Sequence, residues 1–575
     1  MPFPLACLSA VLSLTLLAAP IAALADWQAD VGYTVLLEEL GDQIPDGNGI
    51  AVCQVEASVV TDGVATWMPD SGETAFSGKT INDPSGAPPG VFSSHATAVG
   101  RLLYGRSTSV APGITDIAAY SMSHWAQSGG LRHGTTGQPA SSTCRLTNHS
   151  WVGSALQTAG QTGNFLRRLD WLADRDACVQ IVGLTNSAAS AMPLLASAFN
   201  VITVGRTDGS HSRSTAAVDA VYSGGRIRPD LVAPITSTSA AVPIVGGAVA
   251  LLLQVAHSHP ELSTDPQETG MTNRAGIAVA NAERPEVVRA VLMAGADRFT
   301  RNSTGADIVD YRLDTANQAE NGLDRRYGAG QLNIRQSYHI LAAGEQNSVE
   351  DGGPGVTASL GFDYDPAFGG LDGSNAEATY PLTVDADHTL LTAALVWHAA
   401  VDGGTSMVFS GTTVLHDLDL ELYDVTSASV VSRSAGSADN SEHLWVSLTP
   451  GHVYTIKVRP AAASEAFLHD YALAWVVQSD RDRDLIPDTT DNCRETANRT
   501  QQDSDGDGYG NRCDCDLDNN GRVDAGDYWR WRLLATIDPA SESWNGAIDF
   551  NGNGRADAED LAFLQSRLGE TAPYY

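Results

Sequence analysis

Ser239 occupies a position where a polar loop becomes a buried helix. Segment 238–247 reads Thr-Ser-Ala-Ala-Val-Pro-Ile-Val-Gly-Gly and continues into the apolar run 248–253. A hydroxyl at a helix N-terminus lies among backbone N–H groups that favour negative charge. A serine nucleophile needs that environment, together with a base and a site that binds an oxyanion. The same segment also fits a Ser or Thr cap before a core helix, which would have no catalytic role.

His95 and Asn186 are the residues that can complete such chemistry. His95 lies in the segment Ser-Ser-His-Ala-Thr-Ala-Val-Gly (93–100), and Asn186 ends the strand-like segment Val-Gln-Ile-Val-Gly-Leu-Thr-Asn (179–186). In this order, the three segments resemble the His, oxyanion and Ser segments of the subtilisin-like serine peptidases (subtilases). The resemblance implies that Ser239 is the nucleophile, that His95 is its base and that Asn186 donates a hydrogen bond to the oxyanion.

Further segments extend the resemblance over about residues 30–345 in one colinear order. They are 111–120, 146–153, 201–205, 228–234, 284–292 and 327–330. Two motif glycines of the family are replaced, by Thr185 and by Ser237.

The acid of the triad departs from the family pattern. The family has Asp at the end of its first strand, where strict alignment puts Gln54, and the following Gly is missing. Glu56 lies two residues further on, so both side chains point to one face of a strand. Because a Glu performs this role in some hydrolase triads, we expect Glu56, and less so Gln54, to orient His95. The alternatives are that Glu56 is a solvated strand end and that the chain is a weakened or inactive homologue.

The elements that must position these residues form several domains in a chain of 575 residues. The resemblance implies an α/β domain over 26–345, with a mainly parallel sheet flanked by helices. Alternating apolar residues predict an all-β sandwich or jelly roll over 350–478. The piece Asp417-Leu418-Asp419 on one of its strands could bind Ca²⁺ or form an ordinary polar face.

Residues 1–25 are predicted to be a signal peptide. They contain an apolar run and end in Ala-Leu-Ala, a cleavage pattern, although a basic start is missing. A signal anchor is the alternative, but Pro20 interrupts the run. No later stretch is predicted to span a membrane, and the net charge of −34 argues against nucleic acid as a partner. We expect a secreted or cell-surface protein.

Acidic motifs fill the C-terminal region, by which we mean residues 480–575. Asp503, Asp505 and Asp507 alternate with Ser and Gly, an arrangement that flexible Ca²⁺ coordination requires. Asp480, Asp482, Asp484 and Asp488 repeat the theme. With its cysteines, segment 480–515 resembles a thrombospondin type 3 repeat. The alternative is a disordered acidic linker.

Two loops over 516–569 fit the EF-hand pattern at positions 1, 3, 5, 6, 9 and 12, with Asp in place of Glu at position 12. Their candidate Ca²⁺ ligands are Asp516, Asp518, Asn520, Asp524 and Asp527 in the first loop, and Asp549, Asn551, Asn553, Asp557 and Asp560 in the second. Each loop is followed by a single helix. Such a pair resembles a dockerin module, which implies a cohesin-like domain as partner and tethering to a surface or scaffold.

Cysteine usage is typical of an oxidising compartment. The thrombospondin-like resemblance implies a Cys493–Cys513 pair. Cys144 and Cys178 each precede a predicted core strand, so we expect a bridge between them and a free Cys53. The sequence as a whole predicts a secreted serine endopeptidase that cleaves protein or peptide substrates. The alternative is an inactive subtilase homologue that acts as an adhesion or scaffold protein.

Overall fold

The computed structural model describes residues 27–190, 193–298, 308–369, 376–461, 467–541 and 544–571. The predicted signal peptide lies outside the described residues. Within them, one helix is long and apolar enough to cross a membrane, and it is mostly buried inside the protein.

The N-terminal half is an α/β domain built on a parallel sheet. Its strands are β1 (Val52–Glu56), β2 (Val59–Thr61), β3 (Val64–Thr66), β4 (Thr80–Asn82), β5 (Asp116–Ser121), β6 (Leu146–His149), β7 (Val179–Gly183), β8 (Ile202–Arg206), β9 (Leu231–Ala233), β10 (Gly270–Thr272) and β11 (Ala278–Ala280). Seven of them form one sheet in the order β4-β5-β1-β6-β7-β8-β9, with every pair parallel. This confirms the predicted fold class. The hairpins β2–β3 and β10–β11 lie outside this sheet.

Helices cover the sheet of this domain. They are α1 (Trp27–Asp30), α2 (Tyr33–Leu40), α3 (Ser94–Tyr104), α4 (Met122–His124), α5 (Ala159–Arg175), α6 (Thr238–Ser258), α7 (Pro285–Ala294), α8 (Ile308–Leu313) and α9 (Ile334–Ala342). Helix α6 is the helix that is long and apolar enough to cross a membrane, and its residues from Ala241 to Leu253 are all buried. It packs against α3 and against β6, β7 and β8. Burial on all sides explains why its sequence has no polar stripe.

The next domain is a sandwich of two antiparallel sheets. Its strands are β12 (Leu360–Phe368), β13 (Ala378–Thr383), β14 (His388–Val396), β15 (Ala400–Val401), β16 (Thr413–Val414), β17 (Leu418–Asp424), β18 (Ser429–Ser434), β19 (Ser441–Ser447), β20 (Val453–Pro460) and β21 (His469–Ser479). One sheet has the order β12-β21-β14-β19 and the other β13-β20-β17-β18, and β15 and β16 form a separate two-stranded sheet. The alternating apolar residues of both sheets face each other in a shared core.

Buried polar contacts join the sandwich to the α/β domain. Helix α7 packs on β14 and β21. Beside it, Arg228 pairs with Asp439 at 2.9 Å, and both side chains are almost fully buried. Arg289 donates to Asp230 at 2.6 Å and to Asn440 at 3.1 Å. Water does not reach these buried charges, so they need partners within the protein. Asp439 and Asn440 of the sandwich supply such partners to Arg228 and Arg289 of the α/β domain.

The C-terminal region contains α10 (Ala525–Leu534) and α11 (Ala558–Arg567), one after each predicted loop. Each helix begins two residues before the end of its loop, so that Asp527 and Asp560 lie in the first turns and complete capping boxes. Apolar side chains of both loops and helices share one small core.

The cysteines pair differently from one prediction. Cys53 forms a disulfide with Cys144, and Cys178 is free and buried. The predicted Cys144–Cys178 bridge and the predicted free Cys53 are therefore wrong. The reason lies in the order of the strands. Strand β6, which follows Cys144, lies between β1, which contains Cys53, and β7, which follows Cys178. Cys53 and Cys178 are therefore both neighbours of Cys144. The Cys493–Cys513 disulfide is confirmed.

Candidate active site

Ser239 is the second residue of α6. Ser237 caps the helix, because its hydroxyl accepts the N–H of Ala240 at 3.3 Å. The first backbone N–H groups of a helix have no partner within it, so the Ser239 hydroxyl lies where negative charge is favoured. Ser239 is half-buried, whereas the preceding Thr238 is buried.

The carbonyl group of Ser239 has an unusual partner. In a regular helix it would accept the N–H of residue 243, but Pro243 has none. The Ser150 hydroxyl donates to this carbonyl instead, at 2.9 Å. Ser150 is in turn fixed by Asn148, whose amide donates to it at 2.9 Å from the end of β6. The loop after β6 therefore holds the backbone of the candidate nucleophile.

His95 lies in the first turn of α3. Ser93 caps this helix by accepting the N–H of Ala96 at 3.1 Å. His95 Nδ1 donates to Glu56 Oε2 at 2.8 Å, and the two side chains are 13% and 1% exposed. The other ring nitrogen, Nε2, is buried and has no hydrogen-bond partner among the described residues.

Glu56 rather than Gln54 contacts His95. Both lie on β1, whose five residues are all buried. Gln54 Nε2 donates to the other Glu56 oxygen, Oε1, and to the Ala96 carbonyl, both at 2.9 Å. Its Oε1 accepts the Tyr104 hydroxyl at 2.6 Å. Gln54 thus fixes the carboxylate, and Glu56 is a buried strand end rather than a solvated one.

The electrostatics favour a proton on His95 Nδ1. Burial opposes the charged imidazolium, but the charge of Glu56 and its hydrogen bond outweigh burial and raise the pKa of His95 above its ordinary value. Burial and the nearby Glu56 also raise the pKa of Tyr104 well above its usual range. Tyr104 therefore remains a donor to Gln54 at neutral pH.

Asn186 lies beside the start of α6 and is exposed. Its Oδ1 accepts the Thr238 N–H at 2.7 Å and the Thr238 hydroxyl at 3.1 Å. This fixes the amide so that its NH₂ group remains available for another acceptor. Across the described part of the chain, neither Asn186 Nδ2 nor Ser239 Oγ has a hydrogen bond, so Ser239 and His95 are not joined by one. Such bonds often tighten only once substrate is present.

Among the described residues of the C-terminal region, three groups of carboxylates could hold calcium. Within each group, one oxygen per residue lies within 4.8 Å of the others: Asp480, Asp482 and Asp484; Asp503, Asp505 and Asp507; Asp516, Asp518 and Asp527. In the first group, one oxygen of Asp482 is buried and has no hydrogen-bond partner among the described residues. Burial and the nearby carboxylates raise the pKa of Asp482 to about 7. A divalent cation would remove that repulsion, so these residues fit Ca²⁺.

The two predicted EF-hand loops have the same internal hydrogen bonds. Asp516, at the first position, accepts the N–H groups of Asn520 and Gly521, as Asp549 accepts those of Asn553 and Gly554. Asp527, at the last position, accepts the N–H groups of Asp518 and Asp524, as Asp560 accepts those of Asn551 and Asp557. The first and last Asp residues therefore hold the backbone of the two loops through the same hydrogen bonds.

The Asp417–Asp419 piece of the sandwich was expected either to bind Ca²⁺ or to form an ordinary polar face. The Asp419 carboxylate pairs with Arg433 on the neighbouring strand. This pairing favours the ordinary polar face over a metal site.

Comparisons with known proteins agree with the α/β fold and the paired loops. Residues 77–330 match the subtilase family, and residues 514–569 match the dockerin type I domain. The chain therefore contains a domain of the subtilase family and a dockerin type I domain. The matched subtilase segment begins after β1, so it does not include Glu56.

Several solved structures are similar to part of this chain. The prenylagaramide maturation protease PagA is 18% identical, with 53% of this chain and 98% of that chain covered and a TM-score of 0.33. The self-cleaved protease domain of PatA is 16% identical, with 52% and 99% covered and a TM-score of 0.32. Tripeptidyl peptidase 2 is 11% identical, with 67% and 40% covered and a TM-score of 0.27. No curated protein matches the sequence.

Proposed function

We propose that this protein is a secreted serine endopeptidase with a Ser239–His95–Glu56 triad. The observation that carries the proposal is the hydrogen bond from His95 Nδ1 to the buried Glu56 carboxylate, with His95 Nε2 buried and unpaired among the described residues. A ring held in this way has its basic nitrogen available for a serine hydroxyl. The subtilase match supports the same chemistry.

In this mechanism Ser239 Oγ attacks the scissile carbonyl and its proton passes to His95 Nε2. Glu56 holds the Nδ1 proton and stabilises the imidazolium that forms. Asn186 Nδ2 and backbone N–H groups at the start of α6 stabilise the oxyanion. His95 then gives the proton to the leaving amine, and water releases the acyl group by the same steps in reverse.

The dockerin module is proposed to bind Ca²⁺ and to attach the peptidase to a cohesin-like domain outside the cell. The family match and the repeated loop geometry support this assignment. On α10, the side chains of Trp529 and Leu533 are 67% and 70% exposed. Apolar side chains this exposed on a small helix fit a protein partner.

The second candidate function is a subtilase homologue without activity that acts as a tethered adhesion or scaffold protein. It is favoured by the replacement of the usual triad Asp and by the missing hydrogen bond between Ser239 and His95 within the described residues. The dockerin module would serve either function, so it does not distinguish them.

Labelling with a fluorophosphonate probe separates the two candidates. We expect the calcium-loaded protein to react at Ser239, and Ser239→Ala to remove both labelling and peptide hydrolysis. Ser154→Ala, which changes an exposed serine in the loop after β6, is the matched control and should label normally. If the wild-type protein is folded by circular dichroism and never labels, the peptidase proposal is wrong.

A further inference from the structure

A His and two carboxylates meet where the sandwich packs on the α/β domain. His398 follows β14, Glu286 is the second residue of α7, and Asp174 lies in the last turn of α5. One ligand atom from each residue lies within 4.8 Å of the other two. None of the three residues contributes to the proposed triad.

The ligand atoms of this group are close enough to share one ion. His398 Nδ1 lies 2.8 Å from Glu286 Oε1 and 3.5 Å from Asp174 Oδ1. Although these atoms are close, Nδ1 is buried and has no hydrogen-bond partner among the described residues, and the same holds for Glu286 Oε2. Two tetrahedral zinc ligands at about 2.05 Å would be about 3.4 Å apart. This matches the separation of His398 from Asp174, whereas Glu286 lies closer to the ring than two zinc ligands would.

The surroundings favour positive charge in this position. The His398 and Glu286 side chains are 4% and 2% exposed, so an uncompensated carboxylate would be costly. The nearby Arg284 stacks on the Tyr364 ring and pairs with Glu268 instead. The buried carboxylate of Glu286 and the nearby one of Asp174 therefore attract a cation to this position.

We propose that His398, Glu286 and Asp174 bind a divalent transition-metal ion of the zinc type, which joins the sandwich to the α/β domain. An imidazole nitrogen with two carboxylates is a ligand set that suits Zn²⁺, whereas Ca²⁺ prefers oxygen alone. The backbone of His398 is fixed for this role, since His469 Nε2 donates to its carbonyl at 2.9 Å. Asp174 is 30% exposed and gives the ion a path from solvent.

The experiment uses the full-length protein, stripped of metal and then kept in millimolar Ca²⁺ so that the carboxylate sites of the C-terminal region are filled. Zn²⁺ binding is measured by titration calorimetry, and Co²⁺ is added separately to detect ligand-field absorbance from a nitrogen and oxygen site. We expect one equivalent of Zn²⁺ to bind to the wild type and to raise its melting temperature. His398→Gln and Glu286→Gln should each lose that equivalent.

His388→Gln is the matched control, because His388 also pairs with a carboxylate, Asp385, but on the exposed side of the sandwich. It should bind Zn²⁺ like the wild type. Should His398→Gln fail to fold, an Asp174→Asn variant, altered at the most exposed ligand, tests the same site. Equal Zn²⁺ binding by wild type and ligand variants, or no Zn²⁺ binding by folded wild type, would overturn the proposal and leave His398 as a protonated ion-pair partner.

Discussion

Replacing Glu56 with Gln should invert the tautomer of His95. Glu56 Oε1 accepts from Gln54 Nε2 at 2.9 Å, and Oε2 accepts from His95 Nδ1 at 2.8 Å. Gln54 cannot turn around, because its Nε2 also donates to the Ala96 carbonyl and its Oε1 accepts the Tyr104 hydroxyl. The new amide must therefore direct its oxygen to Gln54 and its NH₂ group to His95.

Facing a donor, His95 accepts at Nδ1 and carries its proton on Nε2, where it cannot receive the proton of Ser239. The comparable change of the triad acid in a serine protease lowers turnover about 10⁴-fold, which corresponds to about 5.4 kcal/mol in the activation barrier. We expect kcat to fall by about 10³–10⁴ with little change in KM, since the acid acts mainly in the transition state.

Steady-state kinetics on a peptide substrate as a function of pH measure this effect. Because Glu56 raises the pKa of His95, the neutral base of the wild type forms only above the ordinary value of 6.5, and kcat/KM should rise with pH through that raised pKa. In Glu56→Gln, which lacks the carboxylate, the residual kcat/KM should also rise with pH, but this rise should occur at a lower pH than in the wild type. Adding Gln54→Leu lets the new amide rotate, so the double variant should exceed Glu56→Gln alone. A Glu56→Gln enzyme within tenfold of the wild type, or a larger loss from Gln54→Leu, would refute this reasoning.

Three further predictions test other parts of the molecule. Ser150→Ala removes the donor to the Ser239 carbonyl, at a cost of about 1–3 kcal/mol. In assays of peptide hydrolysis it should lower kcat about tenfold or more while KM stays the same. The isolated C-terminal region should gain helix when Ca²⁺ is added, as followed by circular dichroism. The double variant Asp516→Ala with Asp549→Ala should lose most of that gain. A wild-type spectrum that Ca²⁺ leaves unchanged would instead indicate an acidic linker. Asp439→Ala leaves buried arginines unpaired and should lower the free energy of unfolding by about 3–5 kcal/mol in denaturant titrations, and a loss below 1 kcal/mol would contradict this account of the domain interface.

The sequence was sufficient for the fold class because the order of its motif segments resembles that of the subtilases. The strands of the parallel sheet are short apolar runs, and α6 is an uninterrupted apolar stretch after a capping serine. Strand periodicity also predicted the side of β1 on which Glu56 lies. It could not predict the role of Gln54, since that depends on Tyr104 and Ala96 of helix α3.

Contacts between distant segments were the part that sequence reasoning missed. The choice between Cys53 and Cys178 as partner of Cys144 depends on the order of strands, which spacing alone does not give. Arg228 and Asp439 are 211 residues apart, and nothing near either residue indicates the other. The sequence does not show which Arg and Asp side chains are buried, so it gave no signal for this ion pair.

These long-range contacts bear on how the protein works. The α/β domain and the sandwich share buried charges, whereas the proposed triad lies on β1, α3 and α6 within one domain. Mutations at the domain interface should therefore change stability much more than the rate constants measured for folded protein. Changes around Gln54, Asn148 and Ser150 should do the opposite, because these residues hold the base and the nucleophile in position while most of the core remains intact. Measuring unfolding and kcat on the same variants distinguishes the two sets of contacts.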